Sequence, residues 1–282
     1  MKIAIQFILN ICMCIAVASL AGAGFSSTAQ ASLAPDLPKS ELSEADIYNF
    51  GVNSPGSYPY LYLNEKNSDY SGIVVRIFEH LQKQSGINAD YIDSNSARTE
   101  AFVRSGDFDL FLTTPLWLQK PEKLIFTDPV VSHQTFLYSA TPFDANALLQ
   151  DLIPAKICTR EGFVYSGLTE YFERGDFVRI EASSQKLMAS MLVANRCDYA
   201  VLNNYNAWQV FSQPEVCEQK SYQSPQPTST VNLVFGMRPA LESLRQRINS
   251  FLAESKRSGV LDSIIENYTR HITFPASTLC SD

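Results

Sequence analysis

GDFDLFLTTPLWLQKPEKLIFTDP, residues 106–129, is the stretch on which the fold is read. Gly106-Asp107 closes a helical pattern, and 108–112 is a short apolar run of the buried-strand type. A polar segment follows over 113–123. Phe126-Thr127-Asp128-Pro129 then turns the chain, because Pro129 fixes its own φ and drives Asp128 out of the α region. In open α/β sheets, ligands bind where loops leave the carboxyl ends of strands. The loop 113–120, carrying Thr113, Thr114, Trp117 and Lys120, is such a place.

Working outward, 46–52 is expected to be a first strand, running into Asn53-Ser54-Pro55-Gly56-Ser57-Tyr58-Pro59-Tyr60, a loop dense in turn formers and aromatics. Ile73, Ile77 and Leu81 recur at four-residue steps and predict a helix with one apolar face, ended by Gly86. A strand over 88–92 and a helix over 97–105 follow, the latter with Ser94-Asn95-Ser96 as capping residues. Arg98 falls in its first turn, where a cation opposes the helix dipole.

After Pro129, 130–139 is extended and apolar enough to cross between domains. Residues 144–151 are expected to be helical, 155–159 and 177–180 to be strands, and 185–194 a helix capped by Ser183 or Ser184. The turn-rich 224–230 leads into a return strand over 231–237. Pro239 opens a helix whose apolar face is Leu241, Leu244, Ile248, Phe251 and Leu252, and Ser258-Gly259 separates it from a last helix over 260–268.

The chain has 282 residues with 45% hydrophobic side chains, enough for one large or two small cores. Residues 1–31 read as a secretory leader: Lys2 is their only charge, an apolar run spans 3–20, and Ala29-Gln30-Ala31 is an A-x-A cleavage site. That run is too short and wrongly flanked for a lasting span, so the mature chain is expected to start at Ser32 without membrane insertion. Residues 32–43 form a Pro/Ser/Ala-rich lead-in. Loss of Lys2 leaves 21 basic against 29 acidic residues, a net charge of −8 that disfavours nucleic-acid binding. Four cysteines remain, Cys158, Cys197, Cys217 and Cys280. An even count in an oxidising compartment suggests disulfides, with three possible connectivities. Neither their spacing nor that of His80, His133 and His271 matches a metal pattern, so no metal or other cofactor is expected.

Several stretches together resemble the family 3 extracellular solute-binding proteins, the periplasmic amino-acid-binding class. They are 106–129, the Tyr58-Pro59-Tyr60 loop, Gly72 with its following helix, 195–204, 231–237, and the closing pattern L...IN.FL.E.K.SGVL..I.ENY over 244–268. The resemblance implies a two-lobed type II periplasmic-binding-protein fold of α/β class. Each lobe is a mostly parallel sheet flanked by helices, and two hinge segments cross between them. Lobe 1 would comprise 32–131 and 236–282, and lobe 2 would comprise 132–235. The resemblance further implies a periplasmic monomer that hands a small ligand to an inner-membrane ABC permease, or to a sensor, without catalysis. Some relatives on this fold are dehydratases, but the acids here, Glu161 and Asp198, read more simply as a loop charge and a structural strand residue. Placing the strands by this resemblance makes neighbours of those bearing Cys158 and Cys197, which pairs these two and leaves Cys217 with Cys280.

The same resemblance places candidate ligand residues. Tyr58 and Tyr60 match an aromatic wall. Lys120 stands where the family has a carboxylate-clamping Arg, keeping the charge without the bidentate fork. Asn203 stands where an Asp holds the ligand's ammonium, a task an uncharged amide cannot perform. Arg160 lies at a ligand-facing position, whereas Phe163 replaces the usual hydroxyl and Arg76 a usual Asp. Arg98, Lys120 and Arg160 make three cations without a mapped acid, which implies an anionic, carboxylate-bearing ligand. Tyr58, Tyr60 and Trp117 allow it to be aromatic. The competing reading makes Arg98 and Lys120 solvated charges and the rings packing residues.

Overall fold

The computed structural model describes residues 46–64, 68–272, 274 and 280. The leader over 1–31 and the lead-in over 32–43 lie outside the described residues. β1 (Asp46–Asn53) starts the first sheet. A small antiparallel sheet follows, of β2 (Gly56–Ser57), β3 (Leu61–Asn64) and β4 (Asp69–Ser71), which alternating-residue patterns do not reveal in such short strands. Helix α1 (Ile73–Ser85) buries Ile73, Val74, Ile77, Phe78 and Leu81, and ends at Gly86, whose φ of 70° is left-handed. β5 (Ile87–Ser94) pairs in parallel with β1. Asn95 accepts the Arg98 amide to cap α2 (Ser96–Ser105), and β6 (Leu110–Thr113) returns beside β1. β6 starts two residues later than the apolar run suggests, because Phe108 turns off the strand to pack with Phe102.

β7 (Ile125–Phe126) is a short edge piece, and β8 (Val131–Ser139) is the first crossing strand. The expected helix over 144–151 does not form. This segment is turn and coil ending in a 3-10 turn over Leu149–Leu152, with the Asp151 carboxylate accepting the Leu148 amide. Its few apolar residues make no face that a helix could bury. Next come β9 (Ala155–Arg160), α3 (Thr169–Arg174), β10 (Phe177–Ala182), α4 (Gln185–Val193, capped by Ser184), β11 (Tyr199–Asn203) and α5 (Asn204–Phe211). β12 (Tyr222–Gln223) precedes β13 (Ser229–Met237), the second crossing strand. A 3-10 turn over Pro239–Leu241 stands where the helix was expected to begin, followed by α6 (Glu242–Arg257) and α7 (Val260–Thr269).

The sheet path runs β10-β9-β11-β8-β13-β6-β1-β5. β13 serves both ends of it. Its first half, Ser229 to Leu233, pairs antiparallel with β8, and its second half, Val234 to Met237, pairs antiparallel with β6. Parallel triplets, β5-β1-β6 and β10-β9-β11, lie at the two ends. One core gathers Phe50, Ile77, Phe78, Leu110, Phe235, Ile248, Phe251 and Ile264 from β1, α1, β6, β13, α6 and α7. The other end is covered on both faces. Phe136, Tyr138, Cys158, Ala200 and Leu202 face α4 and α5, while the alternate residues Leu137, Ile157 and Val201 join Leu168 and Phe177 on the opposite side.

Disulfides join Cys158 to Cys197 and Cys217 to Cys280. The first lies wholly within one core, at 0% and 4% exposure, and closes a 39-residue separation. Replacing Cys158 and Cys197 together by Ala is expected to lower stability by about 3 kcal/mol. Urea unfolding checks this, and the midpoint is expected to fall without loss of the native circular dichroism spectrum.

Candidate functional site

The expected ligand loops leave the carboxyl ends of β1, β5, β6, β9 and β11. Tyr60 comes from the turn between β2 and β3 and is 3% exposed. Its hydroxyl lies 3.0 Å from Nδ1 of His133, on crossing strand β8. Burial pushes the Tyr60 phenol well above its usual range, so it keeps its proton. Burial likewise lowers His133 to about 4, so the ring is neutral. Tyr60 and His133 Nδ1 therefore share a hydrogen bond between two neutral groups, whose direction follows the imidazole tautomer. Trp117 stands edge-on to His133 at 5.2 Å, and Tyr205, in the first turn of α5, meets Tyr60 at 6.0 Å. Four rings from four segments thus meet where β8 leaves the first core.

Around them, Thr113 and Thr114 are buried at the end of β6, with the Thr113 hydroxyl donating to the Thr114 carbonyl at 3.3 Å. Glu100, on α2, fastens the next part of that loop. Its carboxylate accepts from the amides of Gln119 at 2.9 Å and Lys120 at 2.8 Å. This bond brings the start of α2, which carries Arg98, to the loop carrying Lys120. Both Arg98 and Lys120 have exposed side chains. Arg160, at the end of β9, is half-buried, with its guanidinium 5.9 Å from the Phe163 ring. Its loop is braced by Arg179, which donates to the Phe163 carbonyl at 2.9 Å and the Thr159 hydroxyl at 3.0 Å. The acids close to these cations are engaged elsewhere: Glu100 with loop amides and Arg104, Glu181 with Arg179. Among the described residues no carboxylate pairs with Arg98, Lys120 or Arg160.

Tyr58 lies apart from the ring cluster. Its hydroxyl donates to the Tyr268 carbonyl at 2.7 Å, at the end of α7, and its ring packs on Tyr62. Asn203 is 4% exposed and spends its side-chain oxygen on the Asn206 amide at 2.8 Å, capping α5. The Asn206 amide group in turn donates to Ser57 Oγ at 2.9 Å, linking α5 to β2. The neighbouring Asn204 Oδ1 is buried with no hydrogen-bond partner among the described residues. Asp198 clips the start of β9, accepting the Lys156 amide at 2.6 Å, and Glu161 is an exposed loop charge. Sequence reasoning missed His133, Tyr205, Asn206, Ser57 and Arg179. A lone His on an apolar strand carries no signal of a partner 73 residues away. A cavity of about 440 Å³ lies elsewhere, at the far end of β8, bordered by Ser139, Phe143, Asp144 and Tyr199. Among the described residues no group of His, Cys, Asp or Glu could hold a metal ion, and no helix is long and apolar enough to cross a membrane.

The model of the bacterial extracellular solute-binding proteins, family 3, matches residues 50–271. No curated protein sequence matches the chain. Among solved structures, a histidine kinase sensor domain with similarity to periplasmic binding proteins superposes with a TM-score of 0.64 at 18% identity, covering 79% of this chain and 96% of its own. An arginine third-transport-system periplasmic binding protein from Legionella pneumophila gives 0.64 at 16%, covering 79% and 99%. The ancestral amino-acid-binding protein AncCDT-1, a precursor of cyclohexadienyl dehydratase, gives 0.61 at 17%, covering 79% and 94%. At these identities the likeness establishes the two-lobed α/β fold.

The buried neutral His133 makes stability pH-dependent. The unfolded chain takes up a proton near pH 6.5 and the native one only near 4, so between these values the unfolded state binds more protons. Stability is therefore expected to fall as pH drops from 6.5 to 4, by up to about 3 kcal/mol from this group. Melting curves of wild type and His133→Gln across that range check it, and the variant is expected to have the shallower slope.

Proposed function

The chain belongs to the bacterial extracellular solute-binding proteins of family 3, and from that premise we propose that it captures a small carboxylate-bearing ligand between its lobes for delivery to an ABC importer. The ligand is amino-acid-like or an aromatic acid. Lobe 1 comprises 32–131 and 236–282, lobe 2 comprises 132–235 including the hinge segments, and the mature monomer works in the periplasm after removal of residues 1–31. Capture is binding without turnover. The ligand stabilises the closed form by its greater affinity for it, and the closed form is what the permease recognises.

One observation carries this reading: Arg98, in the first turn of the helix after β5, Lys120, in the loop after β6, and Arg160, at the end of β9, have no carboxylate paired to them among the described residues. Asn203 points the same way, because an amide used as a helix cap leaves no anion for an ammonium. Thr113 and Thr114 line the approach to Lys120, and Tyr60 and Trp117 supply the apolar wall.

A thermal-shift screen over amino acids, dicarboxylates, aromatic acids and amines tests the proposal. A carboxylate at about 100 times its dissociation constant adds about 2.7 kcal/mol to the native state and raises the melting temperature. Lys120→Ala and Arg160→Ala are each expected to weaken that ligand about tenfold or more while leaving the unliganded melting temperature within a degree or two. Stabilisation by amines alone would overturn it. Turnover of prephenate would transfer the site to dehydratase chemistry, and association with a kinase in place of a permease would make the module a sensor.

A further inference from the structure

We propose that His271 and Phe274, beyond α7, strap the two cores together by clasping α5 through their rings, and that the Cys217–Cys280 bond keeps them in place. The inference goes beyond ligand capture and holds whatever the ligand is. α7 belongs to the first core through Leu261 and Ile264, yet beyond it Phe274 packs on the second and Cys280 is bonded to Cys217.

Three contacts carry this. His271 sits between the cores: Nε2 lies 3.3 Å from the Tyr58 hydroxyl on one side, and the ring stands edge-on to Trp208 of α5 at 4.8 Å on the other. Phe274 then packs against Tyr138 of β8 at 5.2 Å and Phe211 of α5 at 6.5 Å, joining the core that holds Cys158 and Cys197. Finally Cys280 bonds to Cys217, beside Val216 of that same core. The bond closes a 63-residue separation containing β13, α6 and α7. That covalent ring leaves the second core by β13, passes through the first by α6 and α7, and is closed at Cys280.

Geometry separates the duties of the rings and the bond. Ten residues from Arg270 to Cys280 reach at most about 35 Å when extended, so the bond by itself permits the cores to part. What opposes parting is the seating of His271 and Phe274. The bond holds these rings at high effective concentration near α5, so the clasp re-forms after each opening. Trp208 and Phe211, one helical turn apart on α5, receive both rings, so α5 is the element through which the strap acts. The same helix carries Tyr205 and Asn206, which touch Tyr60 and Ser57 of the other lobe.

Two variants of the full-length mature chain test the strap. One is Cys217→Ser with Cys280→Ser, and the other is Phe274→Ala with both bonds intact. As a variant-free arm, mild dithiothreitol reduces the bond of exposed Cys280 while the buried Cys158–Cys197 bond stays. The two thiols of dithiothreitol become its cyclic disulfide as Cys217 and Cys280 become thiols. Hydrogen exchange of the α5 amides, 204–211, is expected to rise about tenfold in all three arms, with the amides of β9 and α4 unchanged. The radius of gyration from X-ray scattering of the unliganded protein is expected to increase. Unchanged exchange and scattering in Phe274→Ala and in the reduced wild type would overturn the strap. A rise spread evenly over β9, α4 and α5 would also overturn it, because it would make the bond a stabiliser of one lobe only.

Discussion

A single strand, β13, bonds to both halves of the molecule. Its first five residues complete the ladder with β8 and its last four complete the ladder with β6. No residue is left over between these two pairings, so the change of partner occurs within one peptide step. β8 runs alongside, and on it His133 is held by Tyr60 while Thr135 bonds to Thr228 and Ser229. β13 therefore links the two ends of the sheet through a pair of short ladders. Such a joint can bend by small changes at few residues, and the side chains beside it set how far.

Those side chains are unusual for their aromatic content. Tyr60, Trp117, His133 and Tyr205 form one cluster of rings, and Tyr58, His271 and Trp208 form another. Each cluster joins segments of both cores. Ring pairs of this kind are worth about 0.5–1.5 kcal/mol beyond area burial, small against the two hydrophobic cores but large enough to bias a joint with two arrangements. Each cluster includes a ring of α5, Tyr205 in one and Trp208 in the other, and that helix is capped by Asn203 and begins at Asn204, whose side-chain oxygen is buried without a hydrogen-bond partner among the described residues.

The larger elements were legible because they obey period and punctuation. The apolar run 130–139 became β8, four-residue spacing became α1, and Gly86 and Gly106 stopped their helices with left-handed φ. The small sheet of β2, β3 and β4 escaped because two to four residues cannot display a period. Residues 144–151 misled because helix-compatible composition without a burial face is satisfied equally well by turns. At the site, alignment to a family pattern located Asn203 but not its duty. Whether an amide caps its own helix or faces a ligand depends on backbone direction, which sequence position does not carry. The same holds for Tyr58 and Tyr60, two residues apart, one bonded to the end of α7 and the other to β8.

The charge of the captured ligand is the point on which the functional account turns, and titration calorimetry with a matched pair tests it most directly. Phenylpropanoate and phenylpropylamine share a ring and chain and differ in the sign of the terminal group. The account predicts saturable heat for the carboxylate, weakening as salt screens Arg98, Lys120 and Arg160, and none for the amine. Saturable binding of the amine with none for the carboxylate would contradict it.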